Sequence, residues 1–341
     1  MDELLNTWVA TWHWCLLLAV LAASVWVLGR GADWLVEEAV AISLRLRLPR
    51  SVIGATIVSL GTTTPETVVS VLAAIQGRPG LALGNAVGSI ICDTGLILGL
   101  ACLLRPLPIE RRLALRQGWV QFAAGVMLIL ACVPWKRPAA AFSQGGNLPQ
   151  AAGFLFVGLL VAYILWSIRL SHSAATDPQV EEASRAQHNL LWSLGKLMLA
   201  VAIVLVSSTF LIATASELAE RLQVPPSIVA ATLVAFGTSL PELMIAITAT
   251  LKGHGELAVG NIIGADILNV LFVTGTATAV TASGLRVEPH FFYLQFPAML
   301  FVLTLFRVQS LRAAGGYLSR RFGFVLLTAY VLVTVVSYLA E

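Results

Sequence analysis

Charge is scarce in this chain. Only 11% of its 341 residues are Asp, Glu, Lys or Arg, against roughly a quarter in a soluble domain. Hydrophobic residues make up 58% and the mean hydropathy is +0.86. A soluble globular protein is excluded, and a polytopic membrane protein is expected. The formal net charge of +3 is too small to point to a nucleic-acid partner. Cysteine is also sparse. Cys15, Cys92, Cys102 and Cys132 lie in apolar stretches at irregular spacing, which speaks against a disulfide framework or a zinc site. The opening MDELLNTWVATWHW has no basic n-region, so no cleaved signal peptide is expected. The five histidines are scattered and none is assigned a role. There is no HExxH, no GxSxG and no P-loop pattern, so intramembrane hydrolysis and ATP-driven pumping are disfavoured. No enzyme and no cofactor are expected.

What is present is a stretch that occurs twice. Residues 61–99 read GTTTPETVVSVLAAIQGRPGLALGNAVGSIICDTGLILG, and residues 237–275 read GTSLPELMIAITATLKGHGELAVGNIIGADILNVLFVTG. The second follows the first by a constant offset without a gap. Gly61, Thr62, Pro65, Glu66, Gly84, Asn85, Gly88 and Gly99 return as Gly237, Thr238, Pro241, Glu242, Gly260, Asn261, Gly264 and Gly275. A repeat of this length is a duplicated unit. Each copy puts a carboxylate into an apolar segment directly after a helix-weakening Gly and Pro. Intramembrane carboxylates are costly and mark ion pathways. Interrupted segments at matching places in two halves point to a transporter binding site.

Spans of about 20 apolar residues cross a membrane, and ten are expected. They cover 15–46, 52–75, 81–104, 119–133, 151–168, 190–222, 228–251, 257–281, 291–306 and 322–339. The second breaks near residues 61–65 and the third loosens near 84–88. The polar stretch SHSAATDPQVEEASRAQHN, residues 171–189, separates the halves. The expected organisation is all-α, with ten transmembrane helices as two inverted five-helix repeats. Residues 1–170 form the first (repeat motif 52–104) and residues 190–341 the second (repeat motif 228–281). Loops after odd-numbered helices hold fourteen Lys and Arg, and loops after even-numbered ones hold five. The positive-inside rule then places the linker in the cytoplasm and both termini outside. Five helices per half is an odd number, so the second copy enters from the opposite side. Glu66 and Glu242 would meet at the midplane.

Positions four apart share a helix face. Thr62 and Thr63 precede Glu66 on one face, and Thr238 and Ser239 precede Glu242. Asn85, Ser89 and Asp93 make a polar stripe in the first half. Asn261, Ala265 and Asn269 answer it in the second. All the polar groups offer oxygen, which suits hard cations such as Ca²⁺. Three carboxylates near one point repel strongly in low dielectric, so they need bound cations or protons. Asn85 and Asn261 either touch ions or hold the broken helices in shape. Asp33, Glu37 and Glu38 on the first helix read as a snorkelling interfacial face or as the lining of an entry path.

The two GTTTPE/GTSLPE and GNAVGS/GNIIGA motifs resemble the alpha-repeats of the calcium/cation antiporter superfamily, the family of sodium/calcium exchangers. The resemblance is strong over about 80 residues, and the ten-helix plan extends it to the whole chain. It implies a central diamond of Glu66, Asp93, Glu242 and Asn269 around the ions. It also implies flanking groups at Thr62, Thr63, Ser89, Thr238 and Ser239. The sequence departs from the family where Ala265 answers Ser89 and where Asp266 stands in place of the frequent Asn. Asp266 is about 100° off the stripe. Three readings stay open for it: a proton carrier, a ligand shifted by local unwinding, or a structural acid. The implied activity is alternating-access antiport of Ca²⁺ against Na⁺ in a bacterial-type inner membrane. A proton-coupled exchanger, or one moving K⁺, Na⁺ or Mg²⁺, is the alternative. Lipid and the transported ions are the only partners expected, with no obligate protein partner. The linker shows no calcium-sensing domain.

Overall fold

The computed structural model describes residues 2–46, 48–172, 190–223, 237–313 and 316–340. Residues 173–189 of the expected linker and the first part of the seventh helix lie outside them, and the first two linker residues continue the fifth span as helix. A short helix, α1 (Asp2–Ala10), precedes α2 (Trp14–Leu46). Next come α3 (Arg50–Thr62) and α4 (Thr64–Ile75), one span bent by 44° at Thr63. Then follow α5 (Pro79–Leu104), α6 (Arg111–Cys132) and α7 (Gln150–His172). The second half has α8 (Leu190–Arg221), α9 (Leu240–Leu251), α10 (Gly255–Ala279), α11 (Phe291–Arg312) and α12 (Arg320–Ala340). The mostly helical architecture is consistent with the ten expected spans; among the described residues seven helices, or eight with the bent pair taken as one span, are by themselves long and apolar enough to cross a membrane. Boundaries differ most at α6, which starts eight residues early, and at α11, which runs six residues longer. Arginines cluster at those two ends. Apolar length marks the membrane crossing, but a helix continues into the interface while its polar end is hydrated.

The spans do not play equal parts. α10 is buried along nearly its whole length, while α2, α7 and α12 show most of their apolar surface outward. Glycines explain how α10 reaches the centre. A Cβ on Gly260 would run into the Ser51 carbonyl, and one on Gly264 would lie 2.5 Å from the Ala55 backbone. Across the crossing, a Cβ on Gly54 would lie 2.6 Å from the Leu257 carbonyl oxygen. Small residues let α3 and α10 touch backbone to backbone, the usual basis of tight packing in lipid. α2 and α8 run alongside each other as a pair. They meet the rest through close contacts such as Gly61 against Val201 and Gly237 against Ile212.

Four short strands, β1 (Leu107–Pro108), β2 (Gly146–Leu148), β3 (Leu285–Val287) and β4 (Tyr317–Leu318), occur in the loops. The sequence reading did not expect them. β1 pairs antiparallel with β4, and β2 with β3. The first pair joins the loops after the third and ninth spans, and the second those after the fourth and eighth. Odd-numbered loops thus meet odd, and even meet even, as inverted five-helix halves require. The ion pair Arg50–Glu256 (2.8 Å) also joins two odd-numbered loops. The odd-loop end carries further charge contacts. Lys252, just after α9, reaches Asp33 at 3.1 Å and Glu37 at 2.7 Å, and Lys196 of α8 reaches Glu38 at 3.3 Å. Those three acids of α2 are ion-paired.

Candidate functional site

Both repeat motifs break their helix at the same point. Thr63 (φ −80°, ψ 1°) and Ser239 (φ −87°, ψ 7°) interrupt the chain, and α4 and α9 restart with Pro near their first position. Pro has no N–H to lose there and its φ suits the first turn. Glu66 and Glu242 then fall in the first turn of a helix, where exposed N–H groups and the helix dipole favour an anion. Both side chains are buried, each 1% exposed. Thr63 and Ser239 do not cap their own helices with their side chains. Instead the hydroxyls reach across the pseudo-symmetry. Thr63 Oγ1 lies 3.5 Å from Glu242 Oε1, with Thr62 also facing that carboxylate. Thr238 lies beside Glu66, and Ser239, near Asp93, keeps its hydroxyl buried without a hydrogen-bond partner among the described residues. Thr63 thus ties a hydroxyl of one half to the acid of the other.

The second motif contributes two further oxygens. α5 and α10 each loosen into a π-helical turn, at Cys92–Ile97 and Asn269–Thr274. Such turns leave backbone carbonyls without their usual partners and are frequent at functional sites. Asp93 and Asn269, equivalent residues of the repeat, sit at their starts and are 1% exposed. Asn85 Nδ2 donates to the Glu66 carbonyl (3.2 Å) and to Ser70 Oγ (3.0 Å), so it braces the broken helix from α5. Thr238 Oγ1 comes to 3.5 Å from Asn85 Oδ1. Asn261 is fully buried where Asn85 is half-buried, and neither of its amide atoms is paired among the described residues. Ser89 is buried on the same stripe.

The structure brings Glu66, Asp93 and Glu242 close enough to act on one another electrostatically. Asn269 lies on the adjoining turn of α10. Glu66 Oε2, Asp93 Oδ1, Glu242 Oε2 and Asn269 Oδ1 are all buried without a hydrogen-bond partner among the described residues. Leaving one such oxygen unmet costs on the order of 1–3 kcal/mol, and more when it is charged. Three carboxylate oxygens within electrostatic reach of one another, with the Asn269 oxygen on the adjoining turn, are bare acceptors whose natural complement is a cation. Among the described residues, no three His, Cys, Asp or Glu side chains close tightly enough to grip a metal ion by themselves. Asp266 adjoins this set and is braced on one side: Thr94 and Gln121 both donate to its Oδ2. Gln121 comes from α6, which the sequence reading did not connect to the site. A buried glutamine in an apolar helix was the available signal.

Comparison with known proteins places this geometry in context. The family model described as "Sodium/calcium exchanger protein" matches residues 16–169 and 192–339. The inner membrane protein YrbG of Escherichia coli (strain K12) is 31% identical over 86% of this chain and 88% of its own length. A sodium/calcium exchanger, MaX1 of Methanosarcina acetivorans, is 26% identical over 94% and 97%. The solved structure of the sodium-calcium exchanger NCX_Mj, soaked with 10 mM Na⁺ and no Ca²⁺, superposes with a TM-score of 0.77. It is 25% identical and covers 93% of this chain and 97% of its own.

Proposed function

Because the chain belongs to the sodium/calcium exchanger protein family, we propose that it is a secondary antiporter that moves Ca²⁺ out of the cell against entering Na⁺. The observation that carries this reading is the set of bare, buried oxygens on Glu66, Asp93, Glu242 and Asn269. We assign these four to the central ion site. Thr62, Thr63, Ser89, Thr238 and Ser239 flank it with hydroxyls and with carbonyls freed at the helix breaks. Asn85 serves the site by holding the break, and Asn261 is the corresponding residue of the second half.

A buried acceptor-only set explains why transport is exchange. The empty site holds like charges in low dielectric, where repulsion is strong. That form is the costly one to carry across. A Ca²⁺ ion takes 6–8 oxygens and neutralises two charges, and several Na⁺ ions do the same work singly. Either load lets α2 and α8 shift across the core of α3, α4, α5, α9 and α10, exposing the site to one face and then the other. The positive-inside count orients the molecule with the odd-numbered loops and the linker in the cytoplasm and the termini outside, in a bacterial-type inner membrane.

The test is ⁴⁵Ca²⁺ uptake into proteoliposomes loaded with Na⁺, beside matched vesicles carrying only a pH gradient. Uptake is expected with internal Na⁺ alone, and Glu66→Gln and Glu242→Gln each abolish it. Uptake that follows the pH gradient instead would overturn sodium coupling in favour of protons.

A further inference from the structure

Asp266 is the one acid of the central region that the repeat does not explain, since Ile90 occupies the equivalent place in the first half. It is 2% exposed and sits on α10 one turn before Asn269. Gln121 Nε2 donates to its Oδ2 at 2.5 Å and also lies 3.4 Å from Thr94 Oγ1. The Thr94 hydroxyl donates to the same Oδ2. An amide nitrogen can only donate, so this small ring treats Oδ2 as an acceptor twice over. The other oxygen, Oδ1, is buried with no partner among the described residues. Thr94 and Gln121 thus fix Oδ2 as an acceptor and leave Oδ1 bare, open to a cation.

A buried carboxylate needs a compensating charge. Among the described residues no Lys, Arg or His forms an ion pair with Asp266. Asp93, the residue before Thr94 on the π-helical turn of α5, lies within electrostatic range of Asp266, and its own Oδ1 is also buried without a partner among the described residues. Thr94, which donates to Asp266 across from α10, therefore links two acids that each keep one bare oxygen.

We propose that Asp93 and Asp266 form a further subsite for a monovalent metal cation, with Gln121 and Thr94 as the residues that position Asp266. A hard, oxygen-only setting suits Na⁺. A second divalent ion there would stand against the Ca²⁺ held by the central set, whereas monovalent ions distribute one charge per carboxylate. The proposal rests on the exchange reading above for the meaning of that ion: the Na⁺-loaded form carries one more charge than three central acids would bind.

The reversal potential of Na⁺/Ca²⁺ exchange in proteoliposomes reads the coupling ratio directly. Asp266→Asn is expected to exchange with one Na⁺ fewer per Ca²⁺ than wild type; an unchanged ratio overturns the proposal. Saturation binding of ²²Na⁺ to the purified protein supplies an independent reading should Asp266→Asn fail to accumulate. Gln121→Leu keeps the carboxylate and removes its brace. It is expected to weaken one Na⁺ step by roughly tenfold, the scale of a lost hydrogen bond to a charge, while Ca²⁺ affinity holds. Superimposable Na⁺ isotherms for wild type and Gln121→Leu overturn the proposal. If wild type shows no Na⁺-driven Ca²⁺ uptake, the exchange reading fails, and the ²²Na⁺ isotherms still decide the subsite.

Discussion

Thr63 illustrates how a residue of low apparent value becomes central. At the start of α4 its hydroxyl would ordinarily cap its own helix, yet it reaches Glu242 in the other half. Thr238, the repeat equivalent of Thr62, lies beside Glu66. Losing a hydrogen bond to a charged group costs about 1.5–3 kcal/mol. Thr63→Val and Thr238→Val are therefore each expected to raise the Ca²⁺ concentration for half-maximal uptake by roughly tenfold or more. Dose–response curves of ⁴⁵Ca²⁺ uptake check this. The two glutamates and their hydroxyls were legible in the sequence because they return at one offset. The bracing by Asn85 was legible only as one of two alternatives, since a spacing along α5 cannot say whether an amide faces an ion or a neighbouring carbonyl. Gln121 was not legible, because nothing in α6 repeats and its target lies on a helix distant in sequence.

Elements are held at the centre by close approach more than by interdigitated side chains. Gly264 sits where a Cβ would meet the Ala55 backbone and Ser59 Oγ. Gly264→Val should force α3 and α10 apart and sharply reduce the folded, monodisperse fraction in detergent size-exclusion chromatography. The half-buried Gly29, with open space beside it, should tolerate Ala by the same assay. Above the crossing, Arg50 bridges His254 Nδ1 (3.2 Å) and Glu256 Oε1 (2.8 Å) in the loop between α9 and α10. Burial, and then the Arg50 charge, hold the His254 imidazole below its ordinary pKa. The folded chain thus binds fewer protons here than the unfolded one, between the lowered value and the ordinary value of about 6.5. Stability from this group is complete above that window and declines as pH falls through it. Melting temperatures at pH 5.5 and 7.5 should differ less in His254→Gln than in wild type. Helix breaks were legible from Gly and Pro. The π-helical turns were not, because an extra residue in a turn leaves apolar periodicity nearly intact.

For the molecule as a whole, the strand pairs tie inverted halves at both faces. The charge asymmetry of the loops predicts which face is which. A cysteine introduced at Gln144, in an even-numbered loop, should react with a membrane-impermeant thiol reagent added outside whole cells. One introduced at Thr176, in the linker, should react only in inverted vesicles. Background labelling is set by replacing Cys15, the exposed native thiol. Ten spans and their inversion were legible because hydropathy and charge are summed over many residues. The strands were not, since two or three residues in a loop carry no periodic signal.

Those strand pairs also set an order on manufacture. Leu107 finds its partner only at Leu318, and Gly146 only at Val287. Both bridges of the first half thus wait on residues of the second half. Until then the first five spans must be threaded into the bilayer with their loop edges open and both motif acids of that half unmatched. Insertion can proceed span by span, whereas assembly of the pathway must await the second half, and a ribosome stalled before residue 285 would leave an inserted but incomplete half in the membrane.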